Sequence, residues 1–358
     1  MKIENILEKL IKFNTVADKE NDKMTSWIGN FLSQLGFKVS LISNDKNNKK
    51  NFFATIGKKP IITFLGHTDT VPAGENWTTD PFKMKIDGDK IYGLGSSDMK
   101  GGIASLLSAL SQINFKNCKR GLNILLTYDE EVNFSGIKDF TKNKKINTKY
   151  IIVGEPTNLK PIIASKGIVS FIVNFFGKEC HGSEPEKGIN AIFLACDFIK
   201  EVQEYFTLIK KEKKDIFSPD CATVNVGKIN GGDASNKVPA ECVLEIECRT
   251  VSEKQNNEIV KNFKKISKKY NAKMKVMFSA PPALCDDKTF ISDMEKITGN
   301  KKGGVNYITD GSFLGKLTSR MIILGPGPFN SHQSDEWVSK KSLQNTEQVC
   351  KTIVEKYL

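Results

Sequence analysis

The 358-residue sequence has no apolar run that approaches the ~20 residues of a transmembrane helix. It is also poor in arginine, since only Arg120, Arg249 and Arg320 stand among the 53 basic residues. Arginine is the side chain that most often hydrogen-bonds to base edges. Because it is scarce here, we attribute the net charge of +12 to a solvated, lysine-rich surface. We therefore predict that the protein binds neither a membrane nor a nucleic acid.

Cysteine pairs with the spacing of metal ligands are missing as well. None of the eight cysteines forms a C-x-x-C pair, which argues against a zinc ribbon. The residues after Met1 are charged, so we expect no signal peptide and a cytoplasmic location. In that compartment the cysteines, such as Cys196 in its apolar stretch, are predicted to be reduced and buried.

Along much of the chain, short apolar runs alternate with stretches whose apolar residues have helical spacing. Helical spacing over residues 1–36 predicts one helix that ends at Gly36. Continuous apolar runs predict strands buried on both faces, at residues 61–65, 122–127, 150–154 and 321–325. Further helices are predicted over 101–110 and 344–358. This alternation predicts an α/β fold in which helices flank a mostly parallel sheet, with ligands outside the strand ends.

The pattern changes between residues 166 and 279. Strand, helix, strand, strand, helix and strand are predicted there, over 168–176, 190–209, 222–229, 242–249, 258–270 and 273–278. This order is the split βαβ arrangement of an α+β domain. Because the α/β pattern resumes at 280, we predict a discontinuous catalytic domain (1–165 and 280–358) with an inserted domain over 166–279.

Histidines and carboxylates follow several of the predicted buried strands. The residues concerned are His67, Glu130, Glu131, Glu155 and His332, and Asp98 precedes the helix at 101 in a glycine-rich segment. Each signal alone is weak, because a loop histidine, a helix N-cap or an exposed acidic loop gives the same residues. Together, two imidazoles and several carboxylates at one sheet edge match the ligands of Zn²⁺ or a similar divalent ion.

Several motifs occur in a fixed order along the chain. They include Gly66-His67-Thr68-Asp69, Asp98-Met99-Lys100-Gly101, the Glu130-Glu131 pair and Gly154-Glu155-Pro156-Thr157. In order and spacing they resemble the M20 family of dizinc deacylases and peptidases over nearly the whole chain. The resemblance implies that the inserted domain is a lid and dimerisation domain, and that the protein is a homodimer.

The resemblance also implies a role for each candidate residue. The implied ligands of two Zn²⁺ ions per chain, which Co²⁺ can replace, are His67, Asp98 (bridging), Glu131, Glu155 and His332. Glu130 is implied as the general base and Asp69 as the residue that orients His67. His181 is implied to cross from the lid to the partner's active site and stabilise the oxyanion. Asn236 and Arg249 are implied to contact an N-acyl amino acid substrate, with Arg249 at its carboxylate.

Within the family, four stretches are similar to acetylornithine deacetylases, at residues 128–132, 181–192, 231–236 and 324–327. The implied reaction is hydrolysis of N-acetyl-L-ornithine to ornithine and acetate, in arginine biosynthesis. Open alternatives are succinyl-diaminopimelate desuccinylase of lysine biosynthesis and another N-acyl amino acid deacylase or peptidase of the family. Two rivals belong to other classes, a catalytically silent relative and a protein that binds nucleic acid through its basic charge.

Three residues depart from the family pattern. Leu94 stands where an arginine is usual before the bridging aspartate, and Cys180 where a glycine usually precedes the lid histidine. Cys248 is assigned to the aspartate position of an Asp-x-Arg pattern that ends at Arg249. None of these departures removes an implied ligand or the base, so we expect them to affect lid geometry and substrate preference.

Overall fold

The computed structural model describes residues 1–43, 48–144, 146–315 and 317–358. The chain forms two compact units, the first from Met1–Ile163, Leu284–Gly303 and Thr309–Leu358, and the second from Ala164–Ala283 and Gly304–Ile308. The sequence predicts boundaries after residues 165 and 279 and assigns residues 304–308 to the catalytic domain, whereas in the structure these five residues belong to the second unit. The lid and dimerisation role of the second unit stays a prediction.

Helices and strands alternate along the chain. The helices are α1 (Ile3–Ile11), α2 (Asp22–Gln34), α3 (Lys100–Leu110), α4 (Ser135–Asn143), α5 (Ala191–Ile209), α6 (Glu253–Lys269), α7 (Lys288–Thr298), α8 (Gly311–Leu314) and α9 (Lys340–Tyr357). The strands are β1 (Lys38–Ser43), β2 (Lys50–Ile56), β3 (Pro60–His67), β4 (Lys85–Asp87), β5 (Lys90–Tyr92), β6 (Gly121–Thr127), β7 (Tyr150–Val153), β8 (Ile162–Ser165), β9 (Gly167–Phe176), β10 (Thr223–Gly231), β11 (Glu241–Thr250), β12 (Ala272–Ala280), β13 (Ala283–Leu284), β14 (Gly303–Val305), β15 (Met321–Ile323) and β16 (Trp337–Ser339).

The central sheet has the strand order β1-β2-β6-β3-β7-β15-β8-β13, with β14 beside β8. Strand β3 pairs in parallel with β6 and β7, and β15 pairs in parallel with β7. Strands β1, β2 and β8 join through antiparallel pairs. The predicted α/β fold with a mostly parallel central sheet is thus confirmed. Strands β4, β5 and β16 form a separate small sheet.

Helix α3 packs directly over the centre of the sheet, and all of its residues are buried. Small side chains make this close approach possible. A Cβ atom at Gly102 would lie 2.2 Å from the carbonyl oxygen of Gly154, so only glycine allows the helix to come this near the end of β7. This packing places the residues just before α3, including Asp98, at the carboxyl ends of the parallel strands.

The single helix predicted over residues 1–36 is wrong. The structure has α1 and α2, separated by a segment in which Val16 forms a β-bridge with Thr70. Two backbone hydrogen bonds hold this segment, from the Thr70 amide to the Thr15 carbonyl and from the Ala17 amide to the Thr70 carbonyl. A tertiary contact therefore interrupts a sequence whose apolar residues keep helical spacing on both sides.

The second unit is an antiparallel sheet covered by two helices. Its strand order is β10-β11-β9-β12, and α5 and α6 bury their apolar sides against it. The element order β9, α5, β10, β11, α6, β12 confirms the predicted inserted α+β unit. Aromatic rings fill its centre, where Phe263 lies 4.9 Å from Phe171 and 5.9 Å from Phe198 between ring centroids.

We expect Phe263→Ala to destabilise the second unit by about 3–5 kcal/mol, because it removes a fully buried ring and leaves a cavity. Urea unfolding followed by far-UV circular dichroism measures this loss. The matched control is Met277→Ala, since Met277 is 49% exposed and its truncation should change stability by less than about 0.5 kcal/mol. Equal losses in the two variants would contradict this assignment of the core.

The eight cysteines are free thiols, of which Cys221, Cys242, Cys248, Cys285 and Cys350 are buried. Cys196 is exposed and Cys118 and Cys180 are half-buried, so the predicted burial is wrong for these three cysteines. Cys196 lies on the outer side of α5, where the apolar stretch around it has one face turned away from the core. Within the described residues, every helix is too short or too polar to cross a membrane.

Candidate active site

Three parallel strands bring the candidate residues of the first unit to one edge of the sheet. His67 is the last residue of β3 and pairs with Thr127, the last residue of β6. Glu130 and Glu131 therefore emerge beside His67. On the other side of β3, Leu65 pairs with Val153, the last residue of β7, so that Glu155 emerges at the same level.

Asp98 lies between the two histidines. Its Oδ1 is 3.1 Å from Nε2 of His67, and its Oδ2 is 3.7 Å from Nε2 of His332. Glu155 and Glu131 extend the cluster, with Oε1 of Glu155 3.5 Å from Nε2 of His67 and Oε2 of Glu131 3.0 Å from Nε2 of His332. The structure thus brings together the five residues that the sequence proposed as metal ligands.

The spacing of these atoms suits a divalent cation. One ligand atom each from His67, Asp98 and Glu131 lies within 4.8 Å of the others. Nδ1 of His67 donates to the Asp69 carbonyl at 2.9 Å, so that in the neutral ring the lone pair would be on Nε2, the atom that faces the carboxylates. A neutral imidazole held in this tautomer is a metal ligand, so the donor set fits Zn²⁺ or a similar ion.

Asp69 also holds the glutamate pair in place. Its Oδ1 accepts a hydrogen bond from the Glu130 amide at 3.2 Å, and its Oδ2 accepts one from the Glu131 amide at 3.1 Å. The side chain is buried. One residue therefore fixes both the His67 ring, through its carbonyl, and the start of the loop that follows β6.

The buried carboxyl groups repel one another electrostatically. Burial and the Asp98 carboxylate raise the pKa of Glu155 to about 8. Burial, together with Glu155 and Asp310, raises the pKa of Glu130 well above its usual range. The hydrogen bond to Glu131 raises the pKa of His332 to about 9. In the absence of another cation, protons compensate this concentration of negative charge, and a bound metal ion would replace them.

Two buried carboxylates of the site were missed at the sequence level. Glu336 accepts hydrogen bonds from backbone amides of the segment that carries Asp98. Asp310 accepts one from the Thr127 hydroxyl at the end of β6, and burial raises its pKa to about 7. Thr309-Asp310-Gly311 carries no recognisable motif, and Glu336 lies four residues after His332 without any local sign of a role.

The remaining candidate residues belong to the second unit. His181 is exposed, and its Nδ1 lies 2.7 Å from the Ser183 hydroxyl. Asn236 is also exposed, and its carbonyl accepts a hydrogen bond from the Gly182 amide at 2.7 Å. The two residues therefore lie on neighbouring backbone segments. Nε of Arg249 donates to Glu247 at 2.7 Å.

That last contact corrects one assignment. The residue two before Arg249 is Glu247, so an acid occupies the first position of the Asp-x-Arg pattern and pairs with the arginine. The assignment of Cys248 to that position is wrong. Cys248 points into the core of the second unit, where burial raises the pKa of its thiol. Of the other two departures, Leu94 is buried and the Cys180 thiol lies 3.3 Å from the Glu184 carbonyl.

Comparisons with known proteins give a consistent result. The profile of Peptidase family M20/M25/M40 matches residues 63–356. Acetylornithine deacetylase of Buchnera aphidicola subsp. Schizaphis graminum is 34% identical over 371 residues, covering 98% of this chain and 97% of that protein. The aminopeptidase PepT of Bacillus cereus has a TM-score of 0.82 at 20% identity, covering 99% of this chain and 98% of that one. A dinuclear metal-binding peptidase of the M20 family from Bacillus subtilis has a TM-score of 0.72 at 16% identity, covering 99% and 98%.

Proposed function

Because this chain belongs to peptidase family M20/M25/M40 and is a metal-dependent amidohydrolase, we propose that it removes the acetyl group of N-acetyl-L-ornithine. The products are ornithine and acetate, and the reaction is a step of arginine biosynthesis. The 34% identity to an acetylornithine deacetylase over nearly the whole chain supports this substrate. The observation that carries the proposal is the convergence of two histidines and two further carboxylates around Asp98 at one sheet edge.

We assign His67, Asp98, Glu131, Glu155 and His332 as the metal ligands. The proposed metal is zinc, with two Zn²⁺ ions per chain, which Co²⁺ can replace. Two imidazoles and three carboxylates suit zinc in softness and charge. The two oxygens of Asp98 face different histidines, as a bridging ligand requires. When bound, the ions polarise the amide carbonyl and lower the pKa of water towards ~7.

Glu130 is assigned as the group that moves the proton. It accepts a proton from water as the water oxygen forms its bond to the acetyl carbon. When the C–N bond breaks, Glu130 delivers that proton to the leaving nitrogen, so acetate keeps the oxygen and ornithine leaves as the amine. The position of Glu130 supports this role, because it is buried next to the assigned ligand Glu131 and its backbone is held by Asp69.

Asp69 and the second unit complete the assignment. Asp69 keeps the Nε2 lone pair of His67 available and holds the Glu130 amide in place. His181 is proposed to stabilise the oxyanion in the active site of the partner subunit of a homodimer. Arg249 and Asn236 are proposed to bind the substrate, with Arg249 at its carboxylate. A cytoplasmic location completes the proposal.

The experiment that tests the substrate offers two amides to the same zinc-loaded protein. N-acetyl-L-ornithine and N-succinyl-diaminopimelate are compared by release of free amine, and bound metal is counted on the same sample. We expect near two ions per chain and a higher kcat/KM for the acetyl substrate. A preference for the succinyl substrate would keep the metal site and overturn the choice of acyl group and amine.

Two further outcomes are informative. Two bound ions without turnover of either amide would overturn the proposed substrate and direct the search to other N-acyl amino acids and peptides. Absence of both bound metal and turnover would contradict the metal-ligand assignment itself. Glu355→Gln is a suitable reference protein, because it removes one exposed carboxylate from α9 and should keep wild-type activity.

We expect His181→Ala to lower kcat by about 10²–10³-fold, the usual cost of one oxyanion donor. Zinc content should not change, because His181 is assigned no metal. Steady-state kinetics and metal analysis on one preparation measure both quantities. Lys187→Ala, a truncation of an exposed side chain in the same segment, is the matched control and should retain activity. Loss of zinc from His181→Ala would show that the residue is misassigned.

A further inference from the structure

Glu336 is a buried carboxylate whose partners are backbone amides. Its side chain is 2% exposed. Oε2 accepts a hydrogen bond from the Gly95 amide at 2.7 Å, and Oε1 accepts from the Ser97 amide at 2.8 Å and the Asp98 amide at 2.9 Å. Hydrogen bonds to a charged acceptor are among the stronger ones in proteins, and a buried carboxylate requires them.

The contact extends to the backbone of residue 336. Its carbonyl accepts hydrogen bonds from the Gly93 amide at 3.0 Å and the Ser96 hydroxyl at 3.3 Å. Gly95 has a φ of +77°, a conformation that glycine adopts readily and that turns successive amides towards one acceptor. Residues 93–98 therefore wrap around a single residue that is 238 positions from Asp98 in sequence.

Glu336 also lies only four residues after His332. The same short segment thus supplies His332 to the cluster and, through Glu336, holds the amide of Asp98. Asp98 Oδ2 and His332 Nε2 are 3.7 Å apart. If the Glu336 contact is weakened, the Asp98 backbone and the His332 segment lose a direct connection, and the two ligands are free to separate.

We propose that Glu336 is a positioning residue that sets the place of Asp98 relative to His332 and thereby the affinity for the ion that these two residues would share. The inference rests on the proposed dizinc centre. Glu336 touches neither substrate nor metal in this assignment. It acts through the backbone amide of Asp98, in the way that hydrogen bonds to ligand residues tune metal affinity in other proteins.

Glu336→Gln tests the inference. The glutamine side chain has the size of the glutamate side chain, but an NH₂ group replaces one of the two acceptor oxygens. Because each oxygen accepts from at least one backbone N–H, the variant loses at least one of these hydrogen bonds. We expect the weaker of the two zinc dissociation constants to increase about 10–100-fold. Zinc titration in chelator-buffered solutions, with metal per chain measured at each free zinc concentration, gives both constants without any substrate.

Asp335→Asn is the matched control. Asp335 precedes Glu336 directly and accepts hydrogen bonds from the Thr78 amide at 2.9 Å and the Thr78 hydroxyl at 2.8 Å, on a different segment. Its zinc constants should equal those of the wild type. Glu336→Asp keeps the charge and shortens the side chain, so it should lose less zinc affinity than Glu336→Gln. If the glutamine variant does not fold, the zinc titration is carried out on the aspartate variant.

The melting temperature of the metal-free proteins separates positioning from a purely structural role. Unchanged zinc constants in a folded Glu336→Gln with a lowered Tm would overturn the inference and leave Glu336 as a structural residue. A wild-type protein that binds no zinc would overturn the metal centre and, with it, this inference. Tight zinc binding without hydrolysis of N-acetyl-L-ornithine would leave the inference standing and reject only the substrate.

Discussion

Replacing Glu130 with glutamine is expected to lower kcat by about 10²–10⁴-fold. Glutamine keeps the shape of the side chain but cannot accept the proton from water or return it to the leaving nitrogen. Because both transfers are assigned to this one group, we expect the loss to lie near the upper end of that range. The measurement is kcat for N-acetyl-L-ornithine on the zinc-loaded variant.

Metal content and stability should be unaffected by Glu130→Gln. The adjacent Glu131 carries the assigned ligand oxygen, and the backbone amides of both residues remain bonded to Asp69. The control is Glu355→Gln, the same change on the exposed side of α9. Near-wild-type turnover by Glu130→Gln would remove this residue from the mechanism, and loss of zinc would indicate that Glu130 is a ligand.

Asp98→Ala is expected to reduce bound zinc from two ions per chain to one or none and to abolish turnover. The two Asp98 oxygens face His67 and His332 separately, so one truncation removes a ligand from both positions. We expect affinity to fall by more than about 100-fold, beyond the usual cost of altering a residue that only hydrogen-bonds to a ligand. Metal analysis after dialysis against buffered zinc measures this loss.

Glu155→Ala provides the comparison for Asp98→Ala. Glu155 lies 3.5 Å from His67 and is assigned to one ion only, so its truncation should leave the other position occupied. Both variants remove one carboxylate from the same buried cluster, and they differ in whether that carboxylate is shared. Equal zinc losses in the two variants would contradict the bridging assignment of Asp98.

The sheet and the edge that carries the candidate metal ligands could be predicted because local sequence patterns determine them. Strands β3, β6 and β7 are buried on both faces, and each is therefore predominantly apolar in sequence. Parallel strands align their carboxyl ends, so polar residues that follow such runs meet at one edge. This rule places His67 and Glu155 at that edge, and the family resemblance implies their role as ligands.

Contacts between distant segments were beyond the reach of these patterns. Glu336 accepts hydrogen bonds from amides of residues 95–98, and Asp310 accepts one from Thr127. Neither contact produces a periodicity or a motif in the sequence near the acidic residue itself. The break between α1 and α2 has the same origin, since the bridge from Val16 to Thr70 depends on where β3 lies. Local propensity predicts elements, and tertiary contacts decide where some of them end.

The position of β15 has a consequence for how the protein is made. This strand lies between β7 and β8, although the chain reaches it only after the whole second unit. A ribosome therefore releases β7 and β8 long before the strand that separates them exists. Pairing across so much intervening chain is slow, because loop-closure entropy opposes it until the contact forms. We expect the second unit to fold during synthesis, and the proposed metal site to form only when β15 and then His332 have emerged.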